Sequence, residues 1–292
     1  TIYSRGDLFV KINFWKYHAC GNDFIIIDSM NSNKQFSHEE KTFLGKTLCD
    51  RNFSIGANDV LFVEYSNSAD AKMIVIEPDG SEADMCGNGI RCVASYLNSI
   101  KLIDSMSIET KAGIKNVEKQ SDMYRVNMGK VIDEKGFFER YINFKNSDNL
   151  YDVTLNYNNI GFLTGSIVYT GEPNIVFVLD NIDVIDLDKW GKNISEDITK
   201  FPQGICTVLV EPIDEGTIKA RFYEKGVYSE TLACGTGATA AAYVSNYLKK
   251  TSKNVVKVIV KGGEIFIEPG EETYMIGEAN KVFKGEICSS FC

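Results

Sequence analysis

The chain has 292 residues, of which 44% are apolar and 24% are charged, as is normal for a soluble globular protein. The formal net charge of −9 argues against general nucleic-acid binding, because that activity needs a basic surface. No apolar run approaches the roughly 18 residues of a membrane span, and the first residues lack the apolar core of a signal peptide. We therefore predict a cytoplasmic protein that binds neither nucleic acid nor membranes.

The first half of the chain reads as several strands followed by one long helix. Gly21 precedes a strand predicted at 24–28, and the segments "DVLFVE" and "KMIVI" predict two more. A helix is predicted at about 90–102, directly after the stretch "MCGNG". The β-branched runs of "MSIETKAGIKNVE" then predict a hairpin.

The second half repeats this order. Gly171 precedes a strand predicted at 175–180, "CTVLVE" and "IKARFYE" predict further strands, and a helix is predicted at about 238–250 after "ACGTG". The segment "VVKVIVKGGEIFIE" predicts the closing hairpin. Four landmarks recur at offsets of 148 to 151 residues, including Cys86 with Cys234, which indicates a duplication.

These elements predict an α+β fold with two pseudo-symmetric halves, residues 1–146 and 147–292. The stretch 133–165 shows no firm pattern, so we place the boundary within it. Proteins with two halves often bind their ligand at the junction, and each half would then contribute one cysteine turn to the site.

The two cysteine turns have a chemical logic. The glycines after Cys86 and Cys234 let the backbone approach a ligand closely, and the following helix offers free N–H groups to a carboxylate. The same location is expected to lower the pKa of a thiol. Two such turns suit inversion at the α-carbon of an amino acid, where one thiolate removes the proton and the other thiol supplies one. Because that proton is weakly acidic, N–H donors must stabilise the charge that builds on the carboxylate.

Other interpretations of the cysteines are weaker. A disulfide framework is typical of short secreted chains, so free thiols are favoured. Structural zinc sites usually have about two to four residues between neighbouring cysteines, whereas Cys86 and Cys92 lie six positions apart and the chain has no C-x-x-C motif. No phosphate-binding loop with a Schiff-base lysine is evident, so we predict no metal and no cofactor. The eight cysteines are Cys20, Cys49, Cys86, Cys92, Cys206, Cys234, Cys288 and Cys292.

Five segments, in order, resemble the diaminopimelate epimerase family, whose members are two-cysteine amino-acid epimerases without a cofactor. They are "FWKYHACGNDFIIID", "EPDGSEADMCGNGIRC", "YRVNMG", "ARFYEKGVYSETLACGTGAT" and "VKGGEIFI". The resemblance implies that strands wrap a central helix in each half, with the active site in a cleft between the halves. It also implies a homodimer.

The resemblance assigns roles residue by residue. Cys86 and Cys234 fall where the family has its base and acid pair. The other residues fall where the family binds the reacting amino acid, and those that match the family motif are Asn22, Gly87, Asn88, Glu224, Gly235 and Thr236.

Several positions depart from the family pattern. Asp59, Glu77 and Glu172 are carboxylates where the family usually has amides, and Lys225 replaces an arginine that would clamp a distal carboxylate. The family also usually has a histidine where this chain has Asn174. A more acidic pocket would repel the distal carboxylate of diaminopimelate and favour a cationic or N–H-donating side chain.

We therefore predict a racemase for histidine or another basic amino acid, in line with a known histidine racemase that resembles this family. Diaminopimelate epimerase is the alternative with the same chemistry. A non-catalytic amino-acid-binding protein is the alternative from another class, although the presence of both cysteines disfavours it.

Overall fold

The computed structural model describes residues 10–32, 34–143 and 149–289. These residues divide into two compact units: the first holds the chain up to Lys119 and again from Ala279 onward, and the second runs from Gln120 to Glu278. The predicted boundary between residues 146 and 147 lies outside the described residues, as does Cys292. The boundary between residues 146 and 147 therefore stays a prediction.

The described residues up to Gln120 form seven strands and two helices. In chain order they are β1 (Val10–Ala19), β2 (Asn22–Asp28), α1 (His38–Leu48), β3 (Asp59–Glu64), β4 (Ala71–Ile76), β5 (Glu82–Ala83), α2 (Gly87–Lys101), β6 (Ser105–Thr110) and β7 (Gly113–Gln120).

The remaining elements comprise eleven strands and three helices. In chain order they are β8 (Met123–Gly129), α3 (Lys135–Phe138), β9 (Val153–Tyr157), β10 (Gly161–Tyr169), β11 (Pro173–Val178), α4 (Leu187–Ile194), β12 (Cys206–Asp214), β13 (Thr217–Glu224), β14 (Ser229–Thr231), α5 (Gly235–Tyr247), β15 (Val256–Val260), β16 (Gly263–Glu268), β17 (Thr273–Glu278) and β18 (Asn280–Ser289).

Strand pairing follows the same plan in each unit. In the first, β1 and β2 form a hairpin, β2 runs parallel to β3, β3 pairs antiparallel with β4, and β4 runs parallel to β6. In the second, β10 to β13 and β15 repeat these four pairings in the same order and with the same directions. The closing hairpins are β6 with β7 and β15 with β16. The predicted α+β duplication is confirmed.

Each long helix is enclosed by the strands of its own unit. Helix α2 packs against β1 to β4 and β18, and α5 packs against β10 to β13 and β15 to β17. Ten residues of α2 and nine of α5 are consequently buried. The predicted central helix in each half is confirmed.

The helix boundaries differ from those predicted. Both long helices begin three residues earlier than expected, because the glycines after each cysteine already form the first helical turn. The prediction of one helix per half was also incomplete, since α1, α3 and α4 were missed. Helix α1 had a readable signal: Ser37 and Glu40 form a capping box at its N-terminus. Among the described residues, no helix is both long and apolar enough to cross a membrane.

Candidate active site

Cys86 and Cys234 occupy equivalent backbone positions, each as the residue that caps the N-terminus of a long helix. Their dihedral angles are nearly identical, with φ −129° and ψ 114° at Cys86 and φ −127° and ψ 119° at Cys234. The sulfur of Cys86 accepts a hydrogen bond from the Gly89 N–H at 3.3 Å, and that of Cys234 accepts one from the Gly237 N–H at 3.4 Å. Each thiol thus takes the role that a serine or aspartate side chain usually has.

The third residue of each helix must be small. A Cβ on Gly237 would lie 2.6 Å from Cδ1 of Phe222 in β13, and one on Gly89 would lie 3.2 Å from the Cβ of Cys86. The first helical turn therefore packs directly on the sheet. This close approach holds each cysteine at the sheet edge, with Gly87 and Gly235 as the first helical residues.

In the first unit, three predicted binding residues lie at the same end of three neighbouring strands. Asn22 begins β2, Asp59 begins the parallel strand β3, and Glu77 follows the last residue of the antiparallel strand β4. The β3–β4 register pairs Val60 with Ile76, so Asp59 and Glu77 are the next pair at that end. The Ser81 hydroxyl donates to Glu77 Oε2 at 2.6 Å, which fixes this carboxylate on the turn after β4.

Asn22 is held by a two-residue hairpin. Cys20 and Gly21 have φ of 51° and 77°, the left-handed conformations of a type I′ turn between β1 and β2. Within the described part of the chain, Oδ1 of Asn22 is buried and has no hydrogen-bond partner. A buried acceptor of this kind is costly, so it suits a donor supplied by a ligand.

A buried guanidinium lies five residues after Cys86 on α2, and it was not predicted as a site residue. Arg91 is 0% exposed, donates to Oδ1 of Asn88 at 2.8 Å and lies 4.0 Å from the sulfur of Cys20. Burial lowers the pKa of Arg91, while the thiols of Cys20, Cys92 and Cys86 act in the opposite direction. The spacing of three residues between Asn88 and Arg91 on a helix was the signal that could have identified this contact.

The second unit repeats this arrangement at the ends of its own strands, with different side chains. Glu172 precedes β11, Cys206 begins β12, and Glu224 ends β13. The register pairs Thr207 with Tyr223, so Cys206 and Glu224 are the next pair at the strand ends, as Asp59 and Glu77 are in the first unit. Cys206 was not predicted as a site residue, although it lies 147 residues after Asp59, close to the offset of the duplication.

The electrostatic surroundings of Cys234 oppose the predicted lowering of its pKa. Burial, followed by the charge of Glu224, raises the pKa of the Cys234 thiol, which is 4% exposed. The hydroxyl of Thr236, 3.3 Å from the sulfur, acts in the opposite direction but is outweighed. Burial likewise raises the pKa of Cys206 to about 12. Thr231 donates a hydrogen bond to Glu224 and so orients this carboxylate.

Glu172 and Lys225 form an ion pair with 2.8 Å between Nζ and Oε2. Burial alone would lower the pKa of Lys225, but the hydrogen bond and charge of Glu172 outweigh it and raise the pKa. The sequence interpretation counted Glu172 as an uncompensated negative charge. The pairing corrects this, because Glu172 and Lys225 largely neutralise each other.

Comparison with known proteins assigns the chain to a family. A sequence model described as "Diaminopimelate epimerase" matches residues 14–132 and 166–282. The chain belongs to the diaminopimelate epimerase family. A diaminopimelate epimerase from Methanocella arvoryzae is 37% identical over 292 residues, covering 96% of this chain and 98% of the relative. One from Carboxydothermus hydrogenoformans is 36% identical over 282 residues, covering 94% and 99%. Like other members of the diaminopimelate epimerase family, the chain is an isomerase. Its substrate is a small molecule, a free amino acid.

Solved structures share the fold at lower identity. A hydroxyproline epimerase from Agrobacterium vitis aligns with a TM-score of 0.66 at 12% identity, covering 96% of this chain and 93% of that one. A probable proline racemase from Agrobacterium radiobacter aligns with a TM-score of 0.67 at 15% identity, covering 94% and 92%. These likenesses establish the shared architecture.

Proposed function

We propose that this protein is a cofactor-independent amino-acid racemase or epimerase in which Cys86 and Cys234 are the two acid–base groups. The observation that carries the proposal is the repeated cap: each thiol is fixed by a backbone N–H at the start of a buried helix. This geometry places each sulfur beside the N–H groups of a helix N-terminus, which attract a carboxylate.

The reaction removes one proton from the α-carbon and adds one proton to its opposite face. One cysteine, as thiolate, takes the proton from the α-carbon, and the C–H electron pair moves toward the α-carboxylate. The other cysteine, as thiol, supplies a proton to the opposite face, so the product has inverted configuration and the two sulfurs have exchanged protonation states. N–H groups of the first helical turns stabilise the negative charge that builds on the carboxylate oxygens.

The charges around the two thiols favour different resting states. Cys86 interacts with the cationic Arg91, which favours a thiolate, whereas Cys234 interacts with the anionic Glu224, which favours a thiol. One thiolate and one thiol are what the first proton transfer needs. We propose that the resting enzyme carries its proton on Cys234.

For the substrate we propose histidine or another amino acid with a basic side chain. Lys225 is held by Glu172 at 2.8 Å, which limits its use as a clamp for a distal carboxylate. Asp59 and Glu77 add negative charge at the corresponding strand ends of the first unit. A side chain that is cationic or donates N–H groups fits these charges better than a second carboxylate does.

Diaminopimelate is the second candidate substrate. A specific observation favours it, namely that the relatives at 36% to 37% identity over nearly their whole length are named diaminopimelate epimerases. The same two thiols would serve either substrate.

Incubation of the purified enzyme with single L-amino acids in D₂O separates the two candidates. Deuterium at the α-carbon of histidine, lysine, ornithine or arginine supports a basic substrate. Exchange of diaminopimelate alone would rule out the proposal of a basic substrate.

A chelator and a carbonyl reagent are expected to leave turnover unchanged. Light scattering of the same preparation tests the homodimer that the family resemblance implies.

Replacing either cysteine tests the mechanism. Cys86→Ser and Cys234→Ser are each expected to lower turnover by about 10²- to 10⁴-fold, because serine is too weak an acid to exchange the proton. Cys288→Ser, on an exposed cysteine of β18, is the matched control and should retain full activity. Wild-type turnover in either of the first two variants would rule out the two-thiol mechanism.

A further inference from the structure

Asn174 is a fully buried polar residue of β11 that lies next to the Cys234 turn. It is 0% exposed, and its Nδ2 donates to the hydroxyl of Thr170 at 3.0 Å and to the backbone carbonyl of Glu172 at 2.7 Å. The Thr170 hydroxyl in turn donates to the backbone carbonyl of Thr236 at 2.9 Å. Asn174 is thus tied through Thr170 to the first turn of α5.

The orientation of the Asn174 amide is fixed by its partners. A backbone carbonyl can only accept a hydrogen bond, so the group that faces the Glu172 carbonyl must be the NH₂ of the side chain. The opposite atom is therefore the carbonyl oxygen Oδ1. Rotation of the amide would place two acceptors against each other.

Oδ1 of Asn174 is a hydrogen-bond acceptor that the described residues leave unused. It is buried, and among the described residues no donor reaches it. Leaving a buried carbonyl oxygen unpaired is unfavourable, so this oxygen suits a donor that a ligand supplies.

The surroundings of Asn174 place it on the reactive face of the sheet. Asn174 pairs with Cys206 in the parallel register of β11 and β12, so both side chains lie on the same face. Cys206 interacts with Cys234 and Glu224. Helix α5, which begins at the Cys234 turn, packs against both strands.

We propose that Oδ1 of Asn174 accepts a hydrogen bond from an N–H of the bound amino acid, which makes Asn174 a specificity-determining residue. The inference rests on the proposed function. It adds that the ligand group next to Asn174, in the second unit, is a hydrogen-bond donor. An ammonium or an imidazole N–H satisfies Oδ1, whereas a carboxylate oxygen is repelled by it. The usual histidine at this position could donate or accept, but the fixed asparagine oxygen only accepts.

The test compares Asn174→Leu, which has a similar volume but neither the acceptor Oδ1 nor the two Nδ2 hydrogen bonds, with the wild-type protein. For the amino acid that exchanges fastest in D₂O, KM is expected to rise about 10- to 100-fold while kcat changes much less, because a binding contact is lost. Thr273→Val is the matched control: it removes another buried oxygen, in β17, that has no partner in the described part of the chain, and it should leave KM unchanged. A KM within about threefold of wild type in Asn174→Leu would overturn the inference.

Competition by ligand analogues identifies the donor and needs only the wild-type protein if the variant fails to fold. L-Histidine has an α-ammonium and a ring N–H, 3-(imidazol-4-yl)propionate lacks the first, and L-alanine lacks the second. Tighter binding of the compounds that retain one of these donors names it as the partner of Asn174. Binding that does not depend on either N–H would overturn the inference while leaving the two-thiol mechanism intact, and loss of exchange in the wild-type protein would remove the proposed function itself.

Discussion

Cys86 and Cys234 share one backbone geometry but have opposite charges beside them. The cap itself is local, because the sulfur of each cysteine meets a backbone N–H only three residues further along the chain. The charges come from different sources: Arg91 lies on the same helix as Cys86, whereas Glu224 reaches Cys234 from the end of β13. The difference in charge is what makes one sulfur a better base and the other a better acid.

The pH dependence of alkylation tests this asymmetry. Because burial and then the charge of Glu224 raise the pKa of Cys234, the rate at which iodoacetamide labels Cys234 should rise only at alkaline pH. The proposed resting state places this midpoint above that of Cys86. Glu224→Gln removes the negative charge and should move the Cys234 midpoint to lower pH, while that of Cys86 stays in place as the internal control. Mass spectrometry of the labelled peptides measures both midpoints. Equal midpoints in the wild-type protein would contradict the proposed resting state.

At the scale of single elements, α4 shows how a helix can depend on one glycine. Helix α4 packs against β13, and a Cβ on Gly191 would lie 2.0 Å from Cγ of the Tyr223 ring. The ring is held in place because Tyr223 is 3% exposed and its hydroxyl donates to Glu196 at 2.8 Å. An added methyl group would therefore overlap a ring that is buried and held at its hydroxyl.

Gly191→Ala is therefore expected to destabilise the protein by about 1–3 kcal/mol through overpacking. Gly136→Ala is the matched control, since Gly136 lies in α3 and no atom of the described residues comes within 4 Å of an added Cβ. Alanine favours helix there and should be neutral or stabilising by up to about 1 kcal/mol. Thermal unfolding of the two variants measures the contrast, and equal melting temperatures would show that Tyr223 can move.

At the scale of the whole molecule, buried thiols couple stability to pH. Burial raises the pKa of Cys49 and of Cys206 to about 12, and it raises those of Cys92 and Cys234 as well. An unfolded thiol has a pKa of about 8.5. Above that pH the unfolded chain loses protons that the folded protein retains, so the unfolded state is favoured as the pH rises.

The contribution of these thiols to the free energy of unfolding should consequently be constant below about pH 8 and fall above it, by about 1.4 kcal/mol per pH unit for each such thiol. Unfolding by urea at pH 8, 9 and 10 in a reducing buffer measures the slope. Cys206→Ala removes one thiol and should make the slope shallower by about that amount. A stability that does not change between pH 8 and pH 10 would contradict this account.

The sequence by itself determined the duplicated α+β plan, the two cysteine turns and the family. These features are local or periodic: a cap needs only four consecutive residues, and a duplication appears as a constant offset between landmarks. Helix α1 was equally readable from its capping box, although it was not predicted.

Only the tertiary structure decided which charges meet. The ion pair of Glu172 with Lys225, the approach of Glu224 to Cys206 and Cys234, and the complete burial of Arg91 and Asn174 depend on strand register and on packing between distant segments. A pKa responds to burial and to the nearest charges, and neither is encoded in the residues that adjoin a group along the chain. For this reason the sequence located the thiols but predicted a lowered pKa where Cys234 has a raised one.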